Sequence, residues 1–175
     1  MAVSRLRSRL PGWLTTIRLL LAVPIGLAIL GARDGAALAL LGLAAVTDLL
    51  DGSLARRWGT ASDRGARFDV WADFTVISAA FLSLGRRGIY GYWPVAVSAL
   101  LFAQFLVSSR RGELRYDPVG RAYGGILLGM AGLTLALLDT GVQAVLLASL
   151  LIVSAIVLAG RNPVFLARWR VEHAG

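Results

Sequence analysis

The stretch DGAALALLGLAAVTDLLDGSLARRWGTASDRGARFDVWADFTVISAAFLSLGR, running from Asp34 to Arg86, decides the fold. Its two ends are apolar and its middle is charged. Asp48 follows Asp34 by 14 residues and Asp51 follows it by 17, while Asp73 precedes Arg86 by 13 and Asp69 by 17. Read as two antiparallel helices joined near Trp58 to Gly65, both acidic pairs lie about 20–26 Å from the end marked by Asp34 and Arg86. Spacings of i,i+3 and i,i+4 put each pair on one helix face. Four carboxylates therefore reach one level of a helical hairpin.

The rest of the chain turns that level into a depth in a membrane. Of its 175 residues 57% are hydrophobic and only 16% charged, and mean hydropathy is +0.71. A soluble domain of this size cannot hide so much apolar surface, which excludes a cytosolic globular enzyme and disorder alike. There is no cysteine and a single histidine, His173. Disulfides, thiolate metal sites, histidine-built zinc sites and a Ser-His-Asp triad are thereby excluded. The chemistry must come from carboxylates, hydroxyls and arginines. Glu113, Asp117 and His173 read as loop or tail residues.

Cutting the sequence at its charges predicts an all-α integral membrane protein with six transmembrane helices, near 13–32, 35–56, 66–85, 91–109, 120–138 and 141–160. Arg18 splits the first apolar stretch, which is therefore read as a span and not as a cleavable leader. A basic juxtamembrane segment (1–12) precedes a transmembrane catalytic domain (13–160), and a basic tail (161–175) follows. All eighteen basic residues are arginine, giving a net charge of +8. With a cytoplasmic N-terminus, fourteen arginines fall on the inner side, and only Arg33, Arg86 and Arg87 on the outer. That bias predicts both termini cytoplasmic and contact with anionic lipid, with no nucleic-acid partner. Trp13, Trp58, Trp93 and Trp169 fall near the predicted interfaces, as an aromatic belt does.

Arg18 and Arg121 project to a depth similar to that of the aspartates. Ionisable groups in a membrane interior are costly unless paired or hydrated, and four like charges close together repel. One reading is that each aspartate marks a helix end drawn towards water and pairs with an arginine. The other is a divalent metal site, since four carboxylates balance two Mg²⁺ or Mn²⁺ ions and all-oxygen ligation suits them.

The same residues carry a resemblance. Asp48–Asp51–Gly52–Ala55–Arg56, eight residues, then Gly65–Asp69–Asp73 resembles the D-x-x-D-G-x-x-A-R…G-x-x-x-D-x-x-x-D signature of the CDP-alcohol phosphotransferase family, with every fixed position filled. Pro11, Leu14, Thr15, Arg18 and Pro24 look like the opening of its bacterial members. The resemblance implies a membrane enzyme that transfers a phosphatidyl-type group from a CDP-linked donor to an alcohol and releases CMP. It implies that Asp48, Asp51 and Asp69 hold two Mg²⁺ or Mn²⁺ ions, with Asp73 the base for the acceptor hydroxyl and a further ligand. It also implies a homodimer in a bacterial inner membrane, its active site facing the cytoplasm.

Gly52, Ala55 and Gly65 would keep the wall low for the donor nucleotide, although close helix packing explains small residues equally well. Arg56 and Arg18 would clamp the diphosphate, with snorkelling to headgroups the competing role. Arg110, Arg111, Arg115 and Arg121 would meet a phosphorylated acceptor of the glycerol 3-phosphate or inositol phosphate type, and positive-inside topology also accounts for them. A secondary transporter or divalent-cation carrier is the alternative. It predicts charged helices spread over two related halves, whereas here the acids crowd into two adjacent spans.

Overall fold

Six helices follow one another: α1 Ala2–Leu30, α2 Asp34–Trp58, α3 Asp63–Arg86, α4 Trp93–Ser109, α5 Pro118–Ala136 and α6 Thr140–His173. The computed structural model describes the backbone of residues 2–58, 63–109, 118–137 and 140–173. Side chains are described within 12–50, 53, 57–58, 65, 67–106, 122–137 and 141–158. Among the described residues all regular structure is helical. A backbone in hydrocarbon must satisfy its own N–H and C=O groups, and a helix does so within one segment.

Among the described residues, three helices contain stretches long and apolar enough to cross a membrane: Gly12–Leu30, Arg67–Arg86 and Gly141–Leu158. The chain is an integral membrane protein on that ground. The apolar parts of α4 and α5, Trp93–Leu106 and Ala122–Ala136, are shorter. Helix α2 runs for 25 residues, and beyond Asp34 its charged residues, Asp48, Asp51, Arg56 and Arg57, all lie in its second half. The first and last helices extend beyond the spans expected from hydropathy. Helix α1 takes in most of the basic segment before Gly12, and α6 continues through Arg161 to His173.

The helix ends follow local chemistry. Helices α4 and α5 begin with proline at or beside the first position, where the missing N–H has no intrahelical partner to lose. Pro24 lies inside α1, where a membrane helix tolerates the lost backbone bond. Helices α1 and α3 end alike. Arg33 N–H reaches Ala28 C=O at 2.9 Å and Ala32 N–H reaches Ile29 C=O at 3.0 Å; after α3, Ile89 reaches Leu84 at 3.1 Å and Gly88 reaches Gly85 at 3.0 Å. Both are Schellman closures with a left-handed residue, Ala32 at φ 54° and Gly88 at φ 74°.

Helix α1 packs chiefly on α3 and α2, and α5 and α4 close around that trio. Lipid is as apolar as leucine, so close backbone approach supplies the packing energy. The interface residues fit: Ala37, Ala44, Ala72 and Ala80 are fully buried. At Gly26 an added Cβ would stand 3.3 Å from Ser83 Oγ of α3. Larger side chains, Ile25, Ile29, Phe81, Leu84 and Leu127, fill the remaining core. Two buried hydroxyl pairs join separate elements, Tyr90 of the α3–α4 connection with Thr134 of α5 at 2.6 Å and Tyr123 of α5 with Ser154 of α6 at 2.7 Å.

Candidate active site

Helix α1 supplies two polar residues to an otherwise apolar face, Thr15 and Arg18, three positions apart and both buried. That face looks at α2 and α3. The Arg18 Nη1 group donates to Asp73 Oδ1 at 2.8 Å and lies 2.9 Å from Asp48 Oδ1. One nitrogen thus joins carboxylates from two different helices. Thr15 Oγ1 donates to Asp69 Oδ1 at 2.6 Å, a short charge-assisted bond. Asp48, Asp69 and Asp73 are in this way gathered by two residues about one turn apart on a single helix.

Exposure is divided unequally across the cluster. The Arg18 side chain is 2% exposed, whereas Asp48 and Asp73 are 45% and 42% exposed. The guanidinium is locked between the helices, and the carboxylates open away from it with lone pairs to spare. A buried arginine that loses its carboxylates is strongly destabilising, so the pairing holds α1 against the hairpin as well as shaping the site. Beside the cluster, Phe102 of α4 stacks on Phe74 with centroids 4.7 Å apart and meets Trp71 edge-on at 4.6 Å, fixing the α3 turn that carries Asp73.

The oxygen donors have the chemistry of a Mg²⁺ or Mn²⁺ site. Among the described residues no group of three acids is tight enough to hold an ion unaided. Asp51 lies on α2 three residues after Asp48, and its side chain is outside the described residues. So are the surroundings of Gly52, Ala55 and Arg56. Gly65 is exposed in the first turn of α3. Arg110, Arg111 and Arg115 lie outside the described residues, as does the side chain of Arg121 on α5.

The structure brings together Asp48, Asp69, Asp73 and Arg18 of the residues expected from sequence. It adds Thr15 as the partner of Asp69, which the sequence had offered only as part of a resemblance. The signal was the i,i+3 spacing of Thr15 and Arg18, which puts both on one face at the level of the acids. At the opposite end Arg87 pairs with Asp34 through both guanidinium nitrogens, one contact at 3.3 Å. In the sequence Asp34 had served as a depth marker and Arg87 had counted towards the charge of the expected outer side.

A helical membrane protein with carboxylates from neighbouring helices collected on a buried arginine belongs among enzymes and carriers that handle polar groups within the bilayer. The sequence profile of the CDP-alcohol phosphatidyltransferase family matches residues 8–164, and the chain belongs to that family. A CDP-diacylglycerol–glycerol-3-phosphate 3-phosphatidyltransferase of Cereibacter sphaeroides is 36% identical over 107 residues, 58% of this chain and 48% of that protein. A CMP-forming cardiolipin synthase of Streptomyces coelicolor is 40% identical over 74 residues, 42% of this chain and 34% of that protein. A probable phosphatidylglycerophosphate synthase of Mycobacterium tuberculosis is 34% identical over 89 residues, 51% of this chain and 42% of that protein. The matched stretch thus spans less than half the length of each of these relatives. No solved structure matches the chain significantly.

Proposed function

We propose that this chain is a phospholipid-synthesis enzyme that transfers a phosphatidyl-type group from a CDP-linked lipid, CDP-diacylglycerol, to a polar alcohol and releases CMP. The observation that carries this reading is the convergence of Asp48, Asp69 and Asp73 on Thr15 and Arg18, in a chain of this family. The names of two of the relatives, the glycerol-3-phosphate 3-phosphatidyltransferase and the phosphatidylglycerophosphate synthase, support an acceptor of the glycerol 3-phosphate or inositol phosphate type.

Asp48, Asp51 and Asp69 would hold two Mg²⁺ or Mn²⁺ ions, with Asp73 a further ligand. Bound there, the ions supply neutralisation of the diphosphate and stabilisation of the departing CMP. The chain's own groups do the rest. Arg18 ties Asp48 to Asp73 and so fixes the separation of α2 and α3 at the reacting level. Asp73 offers Oδ1 to Arg18 and retains its second oxygen for the acceptor. The acceptor oxygen attacks phosphorus, its proton passes to Asp73, and the bond from that phosphorus to the CMP oxygen breaks. Arg56 clamps the diphosphate, and Gly52, Ala55 and Gly65 leave room for the nucleotide. Arg110, Arg111, Arg115 and Arg121 attract the phosphate of the acceptor.

In this reading all six helices cross a bacterial inner membrane, both termini are cytoplasmic, and the protein is a homodimer. The arginine bias supports the orientation. The active site then lies just below the cytoplasmic boundary, where a lipid diphosphate can keep its acyl chains in hydrocarbon.

The test is CMP release from membranes given CDP-diacylglycerol, Mg²⁺ and a panel of alcohols. CMP formation with one phosphorylated acceptor and its loss in Asp73→Asn are expected. No CMP from the wild type with any acceptor would overturn the reading.

A further inference from the structure

Thr15 and Thr16 are neighbours on α1, yet their hydroxyls are used differently. Thr16 donates to Gly12 C=O of its own helix at 2.8 Å. Thr47, Thr75 and Thr134 likewise donate to a carbonyl three or four residues back. Turning inward is what a threonine in a membrane helix does when no better acceptor is near. Thr15, 2% exposed, reaches across the α1–α3 interface to an ionisable group, at 2.6 Å from Asp69 Oδ1. Three residues on, Arg18 engages the acids flanking it from both helices.

We propose that Thr15 is a positioning residue for the metal centre: its hydroxyl holds one oxygen of Asp69 on α1 and so orients that carboxylate as a ligand for a divalent cation. The inference rests on the metal-dependent reading given above. A carboxylate on a helix swings about two side-chain torsions, and a ligand that swings loses affinity through the ordering it must undergo. A buried donor that holds one oxygen removes that cost before the ion arrives. Partners of this kind are worth 10–100-fold in metal affinity elsewhere. Because the donor sits on α1 and the ligand on α3, the bond also makes the packing of the first helix a condition of metal binding.

The experiment is Mn²⁺ titration by electron paramagnetic resonance on the full chain in lipid nanodiscs, without donor or acceptor. Thr15→Val keeps the branched shape and removes the hydroxyl, and is expected to weaken Mn²⁺ binding by about 10-fold. Thr15→Ser, which keeps the hydroxyl, is expected to restore it, and Thr16→Val is expected to bind as the wild type does. If Thr15→Val fails to fold, the Thr15→Ser and Thr15→Ala pair gives the same comparison. Equal affinity in wild type and Thr15→Val overturns the positioning role alone. An equal loss in Thr15→Ser and Thr15→Val also overturns it, since packing would then be the cause. A wild type that binds no Mn²⁺ overturns the metal-dependent reading and the proposal with it.

Discussion

Among the described residues, arginine meets aspartate at two levels along α2, and the two levels differ in how charge is balanced. At one end Arg87 meets Asp34, one cation to one carboxylate, with side chains 21% and 14% exposed. About 21 Å further along α2, at 1.5 Å per residue, Arg18 is shared by two carboxylates that are far more open than it is. The first contact is complete in itself. It clamps the hairpin where Asp34 begins α2, a favourable place for a negative charge. The second gathers more negative charge than one guanidinium neutralises, so it is suited to receive cations. A membrane protein can thus use one pair of residue types both as a fastener and as the base of a reaction site.

The widest separation between the two is expected from removing one acid at each. Asp73→Asn leaves Arg18 with Asp48 as a balanced pair, so the fold should survive while CMP release falls about 10²–10⁴-fold. Asp34→Asn should do the reverse, leaving turnover per folded molecule unchanged and lowering the unfolding temperature. Equal activity in the wild type and Asp73→Asn would break the comparison. Removing the cation is the next largest effect. Arg18→Met leaves two carboxylates facing each other and should cost about 3–5 kcal/mol, read by unfolding in detergent, with partial recovery in Arg18→Met/Asp48→Asn. Arg87→Met removes a more open partner and should cost about 1.5–3 kcal/mol in the same assay. If both cost the same, burial is not what distinguishes the contacts.

The smallest effect sharpens the Arg87–Asp34 end. Ala32 and Gly88 occupy equivalent left-handed positions, one with a Cβ and one without. Ala32→Gly should raise stability by about 0.5 kcal/mol, the relief of the left-handed conformation outweighing the added chain entropy, and Gly88→Ala should lower it by about 1 kcal/mol. Unfolding temperatures read both.

The hairpin and the level of its acids were legible because helix rise and charge spacing are local properties. Asp48, Asp69 and Asp73 could be placed from counts to the nearest outer charge. The face of α1 that meets them was not legible in the same way. Arg18 is a lone charge in an apolar run, and snorkelling, clamping a substrate and pairing with an aspartate leave the same trace in sequence. Only the packing of α1 on both hairpin helices chooses between partners. Thr15 was quieter still, because a threonine in a membrane helix normally satisfies itself. The spans read at 13–32 and 141–160 agree with the apolar stretches Gly12–Leu30 and Gly141–Leu158, and the helices run on past them because arginine, a good helix former, can end an apolar run without ending a helix. The arginines of the α4–α5 connection remain as sequence offered them.

Since Thr15, Arg18 and Gly26 all sit on one unbroken helix, their alignment with α3 is a matter of counting. Inserting a single alanine between Arg18 and Gly26 would swing the two ends of the face apart by about 100° while hardly altering hydropathy. Either the glycine would leave Ser83 or the polar residues would leave the acids. This stretch of the chain should therefore accept exchanges among leucine, isoleucine and valine on its lipid side yet reject any change in length, a constraint on spelling by number rather than by letter.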